Sequence, residues 1–255
     1  MTYVMATVPK KYVNEGRQWL NYFRSIDCHK WIIALEHGST TGLAHWQLRW
    51  KMRGLENGTS KTNYFNAFKL KFPQAHIEFT ENWCDYERKE GFFVCSDDNA
   101  EILRIRFSPL LRSQREILEM ARSQGDRQID VYLDKRGNHG KSFLSIHLWE
   151  QGRALLVPRY CGTAREISNF ICSAYAGQEY IIIDIPRSAK IKPELYEAIE
   201  EIKDGVVSDP RYSGKTRNVR GAKLLIFTNT PLDEKKLSHD RWRLHGMVKC
   251  GDALS

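Results

Sequence analysis

At 255 residues, 42% hydrophobic and 27% charged, the chain has room for one large domain or two small ones, and its composition is globular rather than disordered or membrane-embedded. A formal charge of +8 and a pI near 9.1 favour a polyanionic partner. No apolar run reaches the ~18–20 residues that cross a bilayer, and no signal-peptide pattern opens the chain, so neither a membrane nor export is expected.

The basic residues are spread through the chain and interleaved with aromatics, which suits transient handling of nucleic acid better than bulk neutralisation. The six cysteines (Cys28, Cys84, Cys95, Cys161, Cys172, Cys250) contain no Cys-x-x-Cys pair. That spacing argues against a zinc ribbon or a disulfide framework and for reduced thiols in an intracellular protein.

In chain order, residues 1–100 read as a small α+β unit. Strands are expected at 1–8, 31–35, 45–51, 75–79 and 92–95. Helices are expected at 12–24, at 60–72 with Ser60 as cap, and at 81–90 with Gly91 as stop. Residues 101–127 carry Leu110, Leu111, Ile117, Leu118 and Met120 at roughly helical spacing among arginines, a connector with an apolar stripe for packing or oligomerisation. From 128 to 255 strands alternate with helices in βαβ fashion.

Two segments of the first unit carry chemistry. In His45-Trp46-Gln47-Leu48-Arg49-Trp50 the alternation puts His45, Gln47 and Arg49 on one strand face and the apolar residues on the other. An imidazole nitrogen and an amide oxygen on one face, with Glu36 at the end of the preceding apolar strand, form a mixed N/O set suited to Mg²⁺ or Mn²⁺. In Tyr86-Glu87-Arg88-Lys89-Glu90-Gly91, a helix would put Tyr86 and Lys89 on one face. A tyrosine beside a cation can attack a phosphodiester, the lysine stabilising charge or assisting proton transfer.

In the second half, the apolar run 129–133 breaks into Asp134-Lys135-Arg136-Gly137-Asn138-His139-Gly140-Lys141-Ser142. Gly137, Asn138, His139 and Gly140 supply a small-residue cradle for phosphates. Lys141 can reach the β/γ-phosphates of ATP, and the Ser142 hydroxyl can hold Mg²⁺. The full Gly-x-x-x-x-Gly-Lys-Ser pattern would place glycine at 135, where Lys135 stands. Downstream, Tyr180-Ile181-Ile182-Ile183-Asp184 is an apolar strand ending in a carboxylate able to hold Mg²⁺ through water.

Taken together, Glu36, His45-x-Gln47 and Tyr86-x-x-Lys89 followed by the Gly-Lys-Ser loop resemble replication initiator (Rep) proteins of circular Rep-encoding single-stranded DNA viruses. The variant loop and the short C-terminus lean toward a smacovirus-like branch. The resemblance implies a fold: an α+β HUH endonuclease domain, an antiparallel sheet with flanking helices, followed by an α/β P-loop ATPase domain of superfamily 3 helicase type. It implies Glu36, His45 and Gln47 as metal ligands and Tyr86 as the residue that forms a 5′-phosphotyrosine. Asn229, ending the strand run 223–229, would sense the γ-phosphate. Lys203, Arg211, Tyr212, Lys215 and Arg217 would hold single-stranded DNA, and Arg241 or Arg243 would act as an arginine finger on a neighbouring subunit's ATP.

The sequence departs from the family at 5–9, the place of the origin-contacting motif, and at Ile185-Pro186-Arg187, where a second acid is usual. The implied function is rolling-circle initiation with Mg²⁺ or Mn²⁺ and ATP. Expected partners are single-stranded and origin stem-loop DNA, copies of itself in a hexameric ring, and a host polymerase, inside the host cell and in its nucleus if the host is eukaryotic. Two alternatives stay open: a nucleic-acid-stimulated ATPase without nicking, and a non-enzymatic nucleic-acid-binding sheet.

Overall fold

The computed structural model describes residues 2–38, 41–83, 86–159, 161–211 and 214–247. The chain divides into two compact units, Met1–Arg106 and Phe107–Ser255.

The first unit is a five-stranded antiparallel sheet of β1 (Thr2–Pro9), β2 (Trp31–His37), β3 (Ala44–Met52), β4 (His76–Thr80) and β5 (Phe93–Cys95), in the order β4-β1-β3-β2-β5. Alternation gives β1 and β3 a core face. Val4, Ala6 and Val8 of β1 and Trp46, Leu48 and Trp50 of β3 face α1 (Arg17–Ser25) and α2 (Gly58–Lys71). Trp19, Tyr22, Phe23 and Phe68 on these helices close over Trp50 in an aromatic cluster. The expected helix at 12–24 starts later, because Lys10–Tyr12 forms a separate 3-10 turn. Asn57, not Ser60, caps α2, its side chain accepting from Ser60 N–H at 2.8 Å, worth ~1 kcal/mol.

The opposite face of this sheet carries the polar residues. Ile32 and Ala34 of β2 pack with Phe93 and Cys95 of β5, and beside them lie Thr7, Glu36, His45, Gln47 and Arg49. The expected helix at 81–90 is absent from the described residues there. Only Tyr86–Arg88 winds, as a 3-10 turn, before Gly91 at φ 73° redirects the chain into β5.

The segment 101–127 is not one connector. In α3 (Ala100–Phe107), the fully buried Arg106 bonds Asp98 at 2.7 and 2.8 Å and the Phe93 carbonyl at 3.0 Å, fastening the helix to the first unit. In α4 (Arg112–Arg122), Ile117, Leu118 and Ala121 pack against Tyr132, Leu144 and Phe227 of the second unit. Ile117 and Leu118 of the apolar stripe are therefore core packing, while Leu111 and Met120 are exposed.

The second unit is an all-parallel sheet of β6 (Ile129–Leu133), β7 (Ala154–Val157), β8 (Tyr180–Asp184), β11 (Lys223–Thr228) and β12 (Trp242–Gly246), ordered β12-β6-β11-β8-β7. Its inner strands β8 and β11 are apolar on both faces because helices cover both. Ile181, Ile183, Leu224 and Ile226 face α6 (Ala164–Ala174) and α7 (Glu194–Asp204), while Ile182, Leu225 and Phe227 face α4 and α5 (Lys141–Glu150). A hairpin of β9 (Val206–Asp209) and β10 (Lys215–Asn218) stands apart as a two-stranded sheet.

The fold is thus two α/β units, one on an antiparallel and one on a parallel sheet. This description replaces the expected HUH endonuclease domain followed by a superfamily 3 helicase-like domain. The features behind that expectation, a strand-borne His-x-Gln and a Gly-Lys-Ser loop, are local and recur on unrelated architectures.

Candidate active site

Antiparallel pairing sets the first site. Glu36 of β2 lies directly opposite His45 of β3, and Gln47 lies opposite Thr7 of β1. Cross-strand neighbours on one face have Cβ atoms about 4.5–5.5 Å apart, so the three expected ligands share a face. The His45 Nε2 atom is 3.7 Å from Glu36 Oε2. Thr7 Oγ1 donates to Gln47 Oε1 at 2.6 Å, a partner not anticipated from the sequence.

Tyr86 and Lys89 meet here too, although on a 3-10 turn instead of a helix. Lys89 Nζ donates to Tyr86 Oη at 2.5 Å and to Glu36 Oε2 at 2.8 Å. Tyr86 is 55% exposed, whereas Glu36 is 1% exposed. Burial pushes the Glu36 carboxyl up from its ordinary range, with Lys89 and His45 opposing the rise. Burial lowers the Lys89 ammonium, but its bonds to Glu36 and Tyr86 outweigh that and hold it above its usual value.

Whether these residues suit a divalent ion can be judged from their atoms. Glu36 Oε1 is buried without a hydrogen-bond partner, on the strand face that also carries the His45 imidazole and the Gln47 amide. Among the described residues no three His, Cys, Asp or Glu side chains gather into a metal group, so Gln47 is needed to complete the set. With it, the set is one nitrogen and two oxygens, donor types that Mg²⁺ or Mn²⁺ accepts.

The second site lies at the carboxyl edge of the parallel sheet. Register aligns Leu133 with Thr228 and Phe227 with Asp184, so the loop after β6, Asn229 and Asp184 share that edge. Gly137, Asn138 and Gly140 all adopt positive φ (84°, 64° and 77°), turning the loop into a concavity before α5. A Cβ on Gly140 would stand 2.7 Å from Gln114 Nε2, which donates to the Gly140 carbonyl at 3.0 Å.

Asp134, given no role by the sequence, is the hub of the loop. Its buried carboxylate accepts from Gly137 N–H at 2.6 Å and from Lys141 Nζ at 2.9 Å, and lies 2.6 Å from His139 Nδ1. Its carbonyl accepts from Asn229 Nδ2 at 2.5 Å. Burial raises its carboxyl pKa, but Lys141, Gly137 N–H and His139 outweigh that and hold it below the usual range. Ser142 is exposed at the first turn of α5. Asp184 pairs with Arg159 and borders a cavity of about 370 Å³ that Lys190 and Lys192 also line.

The remaining expected residues divide. Lys215 and Arg217 are exposed on β10, and Arg211 lies in the hairpin loop, bonded in bidentate fashion to Asp209 at 2.9 and 2.8 Å. Tyr212 lies outside the described residues. Lys203 is part-buried. It packs in α7 with Nζ 3.1 Å from Gln124 Oε1, and burial, reinforced by the charge of Lys223, pulls it down to about 8. The two arginines expected as fingers make contacts within the second unit. Arg241 is buried and 3.3 Å from Asp204, and Arg243 bonds buried Asp130 at 3.1 Å and the Met120 carbonyl at 2.8 Å. Each guanidinium also keeps a buried Nη1 without a hydrogen-bond partner.

No family model and no curated protein matches the chain. Among solved structures it is similar to a formyltetrahydrofolate deformylase from Pseudomonas putida, at 10% identity and TM-score 0.23, covering 77% of this chain and 64% of that one. A formyltetrahydrofolate deformylase from Burkholderia mallei is matched at 6% identity and TM-score 0.23, covering 77% and 63%. The chain thus spans somewhat under two thirds of the length of these enzymes.

Proposed function

We propose that this protein nicks and joins single-stranded DNA through Tyr86 and hydrolyses ATP at the loop after β6, as a rolling-circle replication initiator does. One observation carries this: Tyr86 Oη, Lys89 Nζ and Glu36 Oε2 form a chain of 2.5 and 2.8 Å contacts, with His45 and Gln47 on the same face. An exposed hydroxyl held by an ammonium, next to a buried carboxylate, is suited to attack on an anionic phosphate.

In the proposed reaction, Tyr86 Oη gives up its proton to water and bonds to the phosphorus of a DNA phosphodiester. The P–O3′ bond breaks and the departing O3′ takes up a proton. The products are a free 3′-OH, which a host polymerase can extend, and a 5′-phosphotyrosine. Reversal rejoins the strand. Glu36, His45 and Gln47 would hold a Mg²⁺ or Mn²⁺ ion, which supplies positive charge to the scissile phosphate. Lys89 orients Tyr86 through their shared bond and offsets developing charge. In the second unit, Lys141 would leave Asp134 to neutralise the phosphates of ATP, with Asp184 and Asn229 along the same sheet edge. The exposed basic face of the β9–β10 hairpin would track single-stranded DNA, and copies of the chain would assemble as a ring.

The test is incubation of the full chain with an origin stem-loop oligonucleotide library and Mn²⁺, followed by a denaturing gel. A covalent adduct is expected from the wild type and none from Tyr86→Phe, which keeps the ring and removes the nucleophile. Adduct formation by Tyr86→Phe would refute the assignment. A second reading, a nucleic-acid-stimulated ATPase without nicking, draws on the Lys89–Glu36 pair, which balances Glu36 without any ion. ATP hydrolysis with no adduct on any oligonucleotide selects that reading.

A further inference from the structure

We infer that Arg49 and Glu87 form a positioning clamp that fixes the Tyr86 turn onto the strand carrying His45 and Gln47, an inference that rests on Tyr86 being the nucleophile. Arg49 follows His45 and Gln47 at the next alternate position of β3, so all three side chains leave the same sheet face. Arg49 Nε donates to Glu87 Oε1 at 2.8 Å, and both side chains are almost wholly buried (6% and 0% exposed). The same guanidinium donates to the Asn82 carbonyl at 3.2 Å, and so holds the approach to the turn as well.

The other residues of the turn are docked in the same way. Lys89 reaches Glu36 of β2. Glu90 accepts from the His37 backbone N–H at 3.1 and 3.2 Å, one residue further along that strand. Glu87, Lys89 and Glu90 thus bind three points on two neighbouring strands, and Tyr86 is left projecting to solvent at 55% exposure.

The clamp has a physical rationale. A 3-10 turn of three residues has little stability of its own, and its internal bonds here are Lys89 N–H to Tyr86 O at 3.3 Å and Gly91 N–H to Arg88 O at 3.1 Å. Unanchored, it would let Oη wander by more than the ~1 Å whose misplacement costs about 10²-fold in rate. A buried, charge-assisted bond from the ligand-bearing strand removes that freedom. Surface exposure of Tyr86 and precise placement of its hydroxyl then become compatible.

The test uses the full chain with Glu87→Gln and Arg49→Met, and the double variant Arg49→Met/Glu87→Gln, which leaves no uncompensated buried charge and keeps the experiment interpretable if a single variant misfolds. Adduct-forming rate at saturating Mn²⁺ and saturating oligonucleotide is compared with oligonucleotide affinity. The expected result is a rate loss of roughly tenfold or more in each variant, with affinity changed less than about twofold. The losses should be non-additive in the double variant.

A second measurement does not depend on activity. Amide exchange at Lys89 and Gly91 should quicken about tenfold or more in the variants, while amides of Leu48 and Ile33 stay protected. Unchanged exchange at Lys89 and Gly91, or an unchanged rate in a folded variant, overturns the clamp. Should the wild type form no Tyr86 adduct, the nicking assignment fails by itself, and the exchange data still decide whether Arg49 and Glu87 hold the turn.

Discussion

Asp134→Asn examines the phosphate loop at its hub. The wild-type carboxylate, 1% exposed, holds Gly137 N–H, His139 and Lys141 within 2.6–2.9 Å. The amide keeps the size and one acceptor oxygen, so Gly137 N–H can remain bonded. What is lost is the countercharge of Lys141, whose own side chain is 9% exposed. Removing one partner of a buried ion pair costs about 3–5 kcal/mol. With an acceptor retained, the low end applies, so the expected loss near neutral pH is about 3 kcal/mol.

The pH dependence has a definite sign. The Asp134 carboxyl lies below its ordinary pKa in the folded state, because the three donors outweigh burial. A depressed carboxylate contributes stability that is complete above the unfolded value of about 3.9 and is lost as pH falls through the folded value. The gap between wild type and variant should therefore be full near pH 7 and shrink progressively below about pH 4. Urea unfolding of the full chain, read by amide exchange at Val131 and Leu225, measures the gap in the second unit. A difference under about 1 kcal/mol near neutrality, or one undiminished in acid, would refute the hub role.

Lys141→Ala should abolish ATP hydrolysis, by about 10²-fold or more, while leaving Tyr86 adduct formation on an already single-stranded oligonucleotide unaltered; coupled loss of both would show that nicking needs the nucleotide. Lys203→Met should stabilise the protein by about 1–2 kcal/mol near neutral pH, since it removes a desolvated ammonium and Gln124 Oε1 still accepts from Leu224 N–H at 2.8 Å. With a folded pKa of about 8, depressed below the unfolded value, wild-type stability should rise between pH 8 and about 10.4 as the proton is released, and the variant should lack that rise in thermal unfolding. Lys215→Ala and Arg217→Ala should each weaken single-stranded DNA binding and reduce the magnitude of its salt slope by about 0.7; an unchanged slope in a salt titration would take the hairpin off the DNA path.

What could be read from the sequence was whatever repeats along a strand. Alternation in 45–50 placed His45, Gln47 and Arg49 on one face, and the pairing of Glu36 with His45 followed from two strands joined by a short turn. The buried parallel strands were equally plain, because apolar runs such as 180–183 and 224–227 are long, uniform and bounded by polar residues. The 81–90 helix failed because side chains, not backbone propensity, set that segment's path. Glu87 and Glu90 are pulled to Arg49 and His37, 38 and 53 residues away, and a 3-10 turn satisfies both bonds. No periodicity encodes such a partner. The contacts of the basic residues were hidden for the same reason. Lys203, Arg241 and Arg243 look like Lys215 and Arg217 in composition, yet the first three find Gln124, Asp204 and Asp130 within their own unit and the last two face solvent. A cation's charge requires an oxygen partner, and only the topology decides whether that oxygen belongs to the protein's own interior or is left for a phosphate.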